Sequence, residues 1–192
     1  TNQGQTMAII NRTEEFEMGS PETEVGRVKL DPIIADGDES RVKCMIRPFA
    51  ISTHEVSLAQ YLIYKPDHKV AINSPATGES PVNTVKYVDA VHYCNWLSEQ
   101  EKIPESQWCY RITKLPPFAP KAPEHLHAEL RTEFQSLSGY RLPTESEWEY
   151  ACRCWTTTSR FFGDSDVLLD RYAWYSSNSG SKPRPIGQLS PT

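Results

Sequence analysis

Apolar positions along this chain come in short runs separated by long polar stretches, a pattern that predicts small elements carried on loops. The run Met7-Ala8-Ile9-Ile10 has strand length. After a polar break at 11–15 comes Phe16-Glu17-Met18-Gly19-Ser20, so the opening reads as two short strands joined by a turn. Residues 21–40 are dominated by charge, Pro and Gly with little periodicity, and predict an exposed loop. Residues 42–51 are strand-like again, with Pro48 marking an edge or a bend. Ser57-Leu58-Ala59-Gln60 is a capping box, since the Ser57 hydroxyl can accept from the Gln60 N–H while the Gln60 side chain reaches back to the Ser57 N–H. A short surface helix starts there, with Leu58, Tyr61 and Leu62 on one face, and Pro66 stops it after about two turns.

Beyond a second loop at 67–80, the spacing predicts a stronger helix over 87–100. Ala90, Tyr93, Cys94 and Leu97 form its inward stripe, Trp96 flanks that stripe, and Asp89 lies in the first turn, where the helix dipole favours negative charge. Cys94 in this setting is a small buried apolar residue rather than a nucleophile. Residues 104–138 are Pro-rich and predict an irregular excursion, packed down by Trp108, Tyr110 and Phe118. His125 and His127 would share one side of a strand, but Glu124 and Glu129 suggest a helical stretch. A helix splays the two imidazoles apart and leaves them solvated rather than ligating.

The densest local signal is residues 139–153. Thr144 and Glu147 form another capping box, Pro143 stiffens the approach, and Glu145 sits at the positive end of the dipole. Trp148 meets Ala151 and Cys152 three and four residues on, which predicts an apolar face led by Trp148 as its anchor. Glu145, Glu147 and Glu149 could serve as general acids or metal carboxylates. The structural reading is stronger: Glu147 is occupied by the cap, and Glu145 and Glu149 lie one turn apart on a polar face.

Composition changes this picture little. The 192 residues suit one domain; 38% are hydrophobic, and 15 Pro against 9 Gly predict rigid turns and a loop-rich surface. A formal charge of −5 with scattered basic residues supplies no stripe for phosphates, so nucleic acid is not expected as a partner. No window approaches the roughly 20 apolar residues of a membrane span, and a membrane partner is not expected either. The 5 cysteines, Cys44, Cys94, Cys109, Cys152 and Cys154, make an odd set. Reduced thiols are the default reading and favour a cytoplasmic location. Cys94 and Cys152 are expected to be buried and unpaired. Cys152 and Cys154 form C-x-C, which has neither the spacing of a thioredoxin-like site nor a second pair at zinc-ribbon distance.

Residues 139–153, Gly-Tyr-Arg-Leu-Pro-Thr-Glu-Ser-Glu-Trp-Glu-Tyr-Ala-Cys-Arg, closely resemble the signature of the formylglycine-generating enzyme family, also called sulfatase-modifying factors. Arg141, Leu142, Pro143, Thr144, Glu147 and Trp148 are the structural motif of that match. The resemblance extends to 16–20, 49–56, 80–85, 89–97, Phe161-Phe162-Gly163, residues 172–175 and Pro185-Ile186-Gly187. It covers essentially the whole chain and looks most like the bacterial branch, whose domains occur alone or beside protein kinase domains.

The resemblance implies an α+β fold, C-type-lectin-like and loop-rich, with short antiparallel strands and about three helices. It also implies that residues 1–192 form the N-terminal part of such a domain, with the segment after Pro191 that carries the catalytic cysteines of family members lying outside the sequence given. Catalytic members oxidise a sulfatase cysteine to formylglycine with copper and also bind calcium. No catalytic residue, copper site or calcium site is therefore expected here. Where such members carry an Asn calcium ligand this chain has Trp174, whose indole offers only an N–H. After the signature helix the family commonly has a small residue and Gly, whereas here Cys154-Trp155 follow. A non-Gly residue in a left-handed cap costs about 1 kcal/mol, so a different helix exit is expected.

Two functions follow from this resemblance. One is a sulfatase-modifying-factor domain, inactive as this stretch of chain, with a sulfatase as partner if a longer form is active. The other is a non-catalytic, lectin-like binding module for a protein or peptide, such as a kinase or other signalling partner, with residues 21–40 and 104–138 as its candidate surfaces. Relatives that use iron on small thiols need a cluster of His and Glu that this sequence does not supply.

Overall fold

The computed structural model describes residues 1–24, 39–71, 77–115 and 125–191. The elements in order are β1 (Met7–Ile10), β2 (Glu14–Met18), β3 (Val42–Ile46), β4 (Phe49–Ser52), α1 (Leu58–Tyr64), α2 (Tyr87–Gln100), β5 (Tyr110–Leu115), β6 (His125–Leu130), α3 (Glu145–Arg153) and α4 (Leu169–Tyr172), with single 3₁₀ turns between some of them. The mixed α+β, loop-rich fold with short antiparallel strands is present, with four helices among the described residues, the fourth a single turn. The chain divides into two compact units, each assembled from separated stretches of sequence. One comprises Thr1–Met7, Ser52–Leu142 and Tyr175–Gln188; the other comprises Ala8–Ile51, Pro143–Trp174 and Leu189–Thr192.

The first unit is built on α2. Val91 and Cys94 on this helix join Cys109 and Tyr110 in a buried cluster, against which Ile112, Ala128, Leu130, Tyr140 and Leu142 pack. Its neighbouring face carries Tyr93 and Leu97, which meet Tyr61 of α1. The rings of Tyr61, Tyr64, Tyr93 and Trp96 lie 5.3–5.6 Å apart, within the range of favourable aromatic pairs. The α1 capping box forms on both sides, Gln60 N to Ser57 Oγ at 3.2 Å and Ser57 N to Gln60 Oε1 at 2.9 Å.

The irregular excursion expected at 104–138 is, in its described part, a β-hairpin. β5 and β6 pair antiparallel with Tyr110 opposite Leu130 and Ile112 opposite Ala128. The alternation Tyr110-Arg111-Ile112 and Ala128-Glu129-Leu130 explains this: one face lies on α2 and the other in solvent. His125 and His127 therefore sit on a strand and not on a helix, with His127 exposed opposite Thr113. Phe118 and Glu124 lie outside the described residues. Gly139 seals the hairpin base, where a Cβ would come within 2.7 Å of the Gln107 carbonyl oxygen and 2.8 Å of Trp108 Cα.

In the second unit the opening strands do not pair with each other. β1 pairs with β4 and β2 with β3, Phe16 standing opposite Cys44 and Glu14 opposite the buried Ile46. The strand-like run 42–51 breaks at Arg47-Pro48, because Pro cannot donate to a ladder and its ring pushes the preceding residue out of regular pairing. Each half then takes a different partner. Gly19 ends β2 at a φ of +93°, where a Cβ would meet the Ser40 carbonyl oxygen at 2.5 Å. Of the loop expected at 21–40, residues 25–38 lie outside the described residues.

Candidate functional site

The signature motif begins as a bracket in the first unit. Arg141 lays its guanidinium over the Phe134 ring, 4.8 Å from the centroid, and donates to the Leu142 carbonyl at 3.1 Å. The Leu142 N–H in turn donates to the Tyr110 hydroxyl at 3.2 Å. In the second unit, Pro143 precedes Thr144, and both halves of the capping box form: Glu147 N to Thr144 Oγ1 at 3.2 Å and Thr144 N to Glu147 Oε2 at 2.9 Å. Glu147 is buried and committed to this cap, as its position in the sequence implies.

Trp148 is not the anchor of α3. It is 56% exposed, whereas Tyr150 is 4% exposed. Tyr150 packs edge-on against Phe16, donates its hydroxyl proton to Glu14, and accepts from the Trp155 indole N–H at 2.7 Å. Glu149 is equally committed: it accepts from the Gly19 N–H at 2.8 Å and from Arg153 Nε at 2.7 Å, while Arg153 reaches the Gly19 carbonyl at 2.9 Å. The acidic triplet is thus split among a cap, a clamp and the exposed Glu145. These carboxylates hold structure and do not converge on a site.

The helix exit is left-handed in spite of its side chains. Cys154 has φ 47° and ψ 48°, and Trp155 follows at φ 64°. The indole of Trp155 is fixed by Tyr150 and by Arg12, whose guanidinium lies 4.9 Å from its ring centroid, yet it remains 61% exposed.

All five cysteines are free thiols. Cys94 and Cys109 are buried in the first unit, and Cys109 donates weakly to the Gly139 carbonyl at 3.1 Å. Burial pushes the Cys94 thiol up to about 12, with the neighbouring Cys109 adding to the effect, and raises Cys109 as well. Cys152 was expected to be buried; it is only partly so, because the buried side of α3 is centred on Tyr150, and burial still raises its thiol. Among the described residues no three His, Cys, Asp or Glu side chains gather as a metal-holding group. No helix among them is long and apolar enough to cross a membrane.

The first unit does contain a hollow of about 300 Å³ that sequence reasoning did not find. Glu105, Ser106, Trp108, Tyr110, Arg111 and Arg131 line it. Its polar fixtures are tied from behind. Trp108 Nε1 donates to the Ile103 carbonyl at 2.9 Å, and Arg131 NH1 donates to the Ser106 and Trp108 carbonyls at 2.8 and 3.3 Å. Arg131 is neutralised by Glu133 through Nε and NH2 at 2.9 and 2.6 Å. Arg111 is different: it is exposed, and no ion pair joins it to Glu129, the residue opposite it in the hairpin register. Trp108 and Tyr110 stood out in the sequence, but the placing of Arg111 and Arg131 beside them needs the hairpin register.

A loop-rich α+β domain with a doubly capped signature helix, paired two-stranded sheets and buried thiols is the class of protein these observations define. The chain belongs to the sulfatase-modifying-factor family: the family's model, described as a sulfatase-modifying factor enzyme 1-like domain, matches residues 5–191. It is also similar to chaperone protein LppX of Paenibacillus barcinonensis, 30% identical over 136 residues, which cover 70% of this chain and 46% of that protein. The chain thus spans about half the length of that curated relative. Among solved structures it resembles Treponema denticola variable protein 1, with a TM-score of 0.69 at 21% identity, covering 97% of this chain and 66% of the other. That likeness is one of fold.

Proposed function

We propose that residues 1–192 act as a non-catalytic binding module of the sulfatase-modifying-factor family, one whose ligand is polypeptide. The observation that carries this reading is the state of the thiols. Copper chemistry in this family's catalytic members uses cysteines, and soft Cu(I) is held by thiolates that converge within bonding distance. Burial raises the thiols of Cys94, Cys109 and Cys152, which keeps them protonated at neutral pH. The remaining two, Cys44 in a strand and Cys154 at a helix end, are not neighbours in sequence or on one element. Three of the five donors held protonated count against a copper site built from the thiols of residues 1–192.

Polypeptide is the ligand class because the related LppX protein is named a chaperone, a word for proteins that act on other polypeptides. The exposed rings of Trp148, Trp155 and Trp174 give this chain apolar surface of the kind such partners use. Two assays on the purified chain test the reading. Incubation of a cysteine-containing sulfatase peptide with copper and oxygen should yield no aldehyde. Equimolar chain should slow the light scattering of a chemically unfolded client protein. Turnover of the peptide would overturn the non-catalytic part, and unchanged scattering would overturn the polypeptide part.

A further inference from the structure

We infer that the hollow at the base of the β5–β6 hairpin is a binding site for a carboxylate side chain of a partner polypeptide, with Arg111 as the group that receives it; this rests on the polypeptide-binding reading above. The hollow holds two guanidinium groups in unequal states. Arg131 spends its donors on Glu133 and on two backbone carbonyls, so it shapes the floor and carries no free charge. Arg111 forms no hydrogen bond or ion pair through its side chain among the described residues, although Glu129 stands opposite it in the register. An unpaired guanidinium beside a concave surface is a planar, always-charged donor array that matches a carboxylate in a two-point arrangement.

The walls fit the same ligand. Trp108, half-buried, lines the hollow, and its indole N–H is already bonded to the Ile103 carbonyl. Tyr110 borders the hollow but turns its ring into the buried cluster on α2. What Trp108 offers is an apolar flank for the methylenes of a Glu or Asp side chain. At about 300 Å³ the space lies at the small end of ligand pockets and has room for one side chain. Glu105, on the rim, disfavours ligands of high negative charge, which selects a single carboxylate over a phosphate cluster.

The test follows backbone amide and Arg side-chain signals by ¹⁵N NMR of the full 192-residue chain during titration with an acetylated, amidated Gly-Glu-Gly-Glu-Gly peptide. Its Gln counterpart, free glutarate and inorganic phosphate serve as separate arms. Saturable shifts at residues 105–111 and at Arg131 are expected with the Glu peptide. Binding should be at least tenfold weaker with the Gln peptide, and tenfold weaker for Arg111→Gln, a substitution at an exposed, unpaired position. Glu105→Gln should tighten binding two- to threefold. Shifts that persist unchanged in Arg111→Gln, or with the Gln peptide, would overturn the site, as would absence of any saturable change. Glutarate or phosphate binding as tightly as the Glu peptide would overturn the polypeptide source. The client-scattering assay reads separately, so a bound Glu peptide with no effect on scattering would leave this site standing while removing the wider reading.

Discussion

Replacing Cys154 by glycine should stabilise the protein, because the residue occupies a left-handed cap that its side chain disfavours. At φ 47° and ψ 48° an L-residue brings Cβ against the following carbonyl, at a cost of roughly 1–2 kcal/mol. Glycine relieves this but makes the unfolded chain more flexible, which returns roughly 0.4–1 kcal/mol. The thiol itself contributes little, since Cys154 is exposed and its N–H still bonds the Tyr150 carbonyl whatever the side chain. The net gain is therefore about 0.5–1 kcal/mol, which for a chain of this length raises the melting temperature by about 1–4 °C. Thermal and urea melts of the wild type, Cys154→Gly and Cys154→Ala read it out. Alanine removes the thiol but keeps the strain, so it should gain nothing. Trp155→Gly makes an opposing control. Its φ of 64° is relieved too, but the indole N–H bond to Tyr150 and the stacking of Arg12 are lost, at roughly 1 kcal/mol each. A gain in Cys154→Ala equal to that in Cys154→Gly would refute the backbone argument. So would a loss in Cys154→Gly.

Two further outcomes follow from the cap and from the buried titrating groups. Glu147→Ala should cost about 1–2 kcal/mol through loss of the side-chain half of the capping box, whereas Trp148→Ala, at a 56% exposed ring, should cost under about 1 kcal/mol; urea midpoints in the reverse order would restore Trp148 as the anchor of α3. Stability should also fall as pH rises above 9. Burial raises Cys94 from 9.0 and Tyr93 and Tyr110 from 10.0 to about 12, so the folded state holds protons that the unfolded chain gives up. The stabilisation is complete below the unfolded values and is lost through the window from 9 to 12, at about 1.4 kcal/mol per pH unit for each group. Urea midpoints from pH 8 to 10.5 check this, and Cys94→Ala should flatten the fall between pH 9 and 10; a midpoint independent of pH would contradict it.

Elements whose boundaries are written in local chemistry were legible in the sequence. The α1 and α3 capping boxes place Ser57 and Thr144 at the cap, where the structure has them, and the 3.6-residue spacing of Tyr93, Cys94 and Leu97 fixes α2. Pairing between strands was not legible. Nothing near Ile10 or Phe16 specifies that β1 goes to β4 and β2 to β3; that depends on where residues 42–52 return, and the break at Pro48 separates the two partners. The hairpin at 110–130 was overlooked for a different reason. Glu124 and Glu129, both good helix formers, argued against a strand, but strand placement is decided by Ile112 and Ala128, which bury against α2. Local helix propensity is worth a few tenths of a kcal/mol, and burial of an apolar face outweighs it several-fold.

The misplaced anchor of α3 has a different cause. Trp148, Ala151 and Cys152 form a helical stripe, and Glu147, Tyr150 and Arg153 form another; helical period alone cannot rank them. The larger ring wins on area, which is why Trp148 stood out in the sequence. Which stripe faces inward depends on the sheet beneath, where Phe16 presents a ring edge and Glu14 a carboxylate. An indole has a donor but no acceptor, so Trp148 in that place could satisfy Glu14 but could not also accept from the Trp155 N–H. A tyrosine hydroxyl does both, donating to Glu14 and accepting from Trp155. The buried stripe is therefore selected by the two-way hydrogen bonding of Tyr150 rather than by hydrophobic area. Tyr150→Phe, which keeps the ring and removes only the hydroxyl, should expose this by releasing the Trp155 indole and increasing its quenching by iodide.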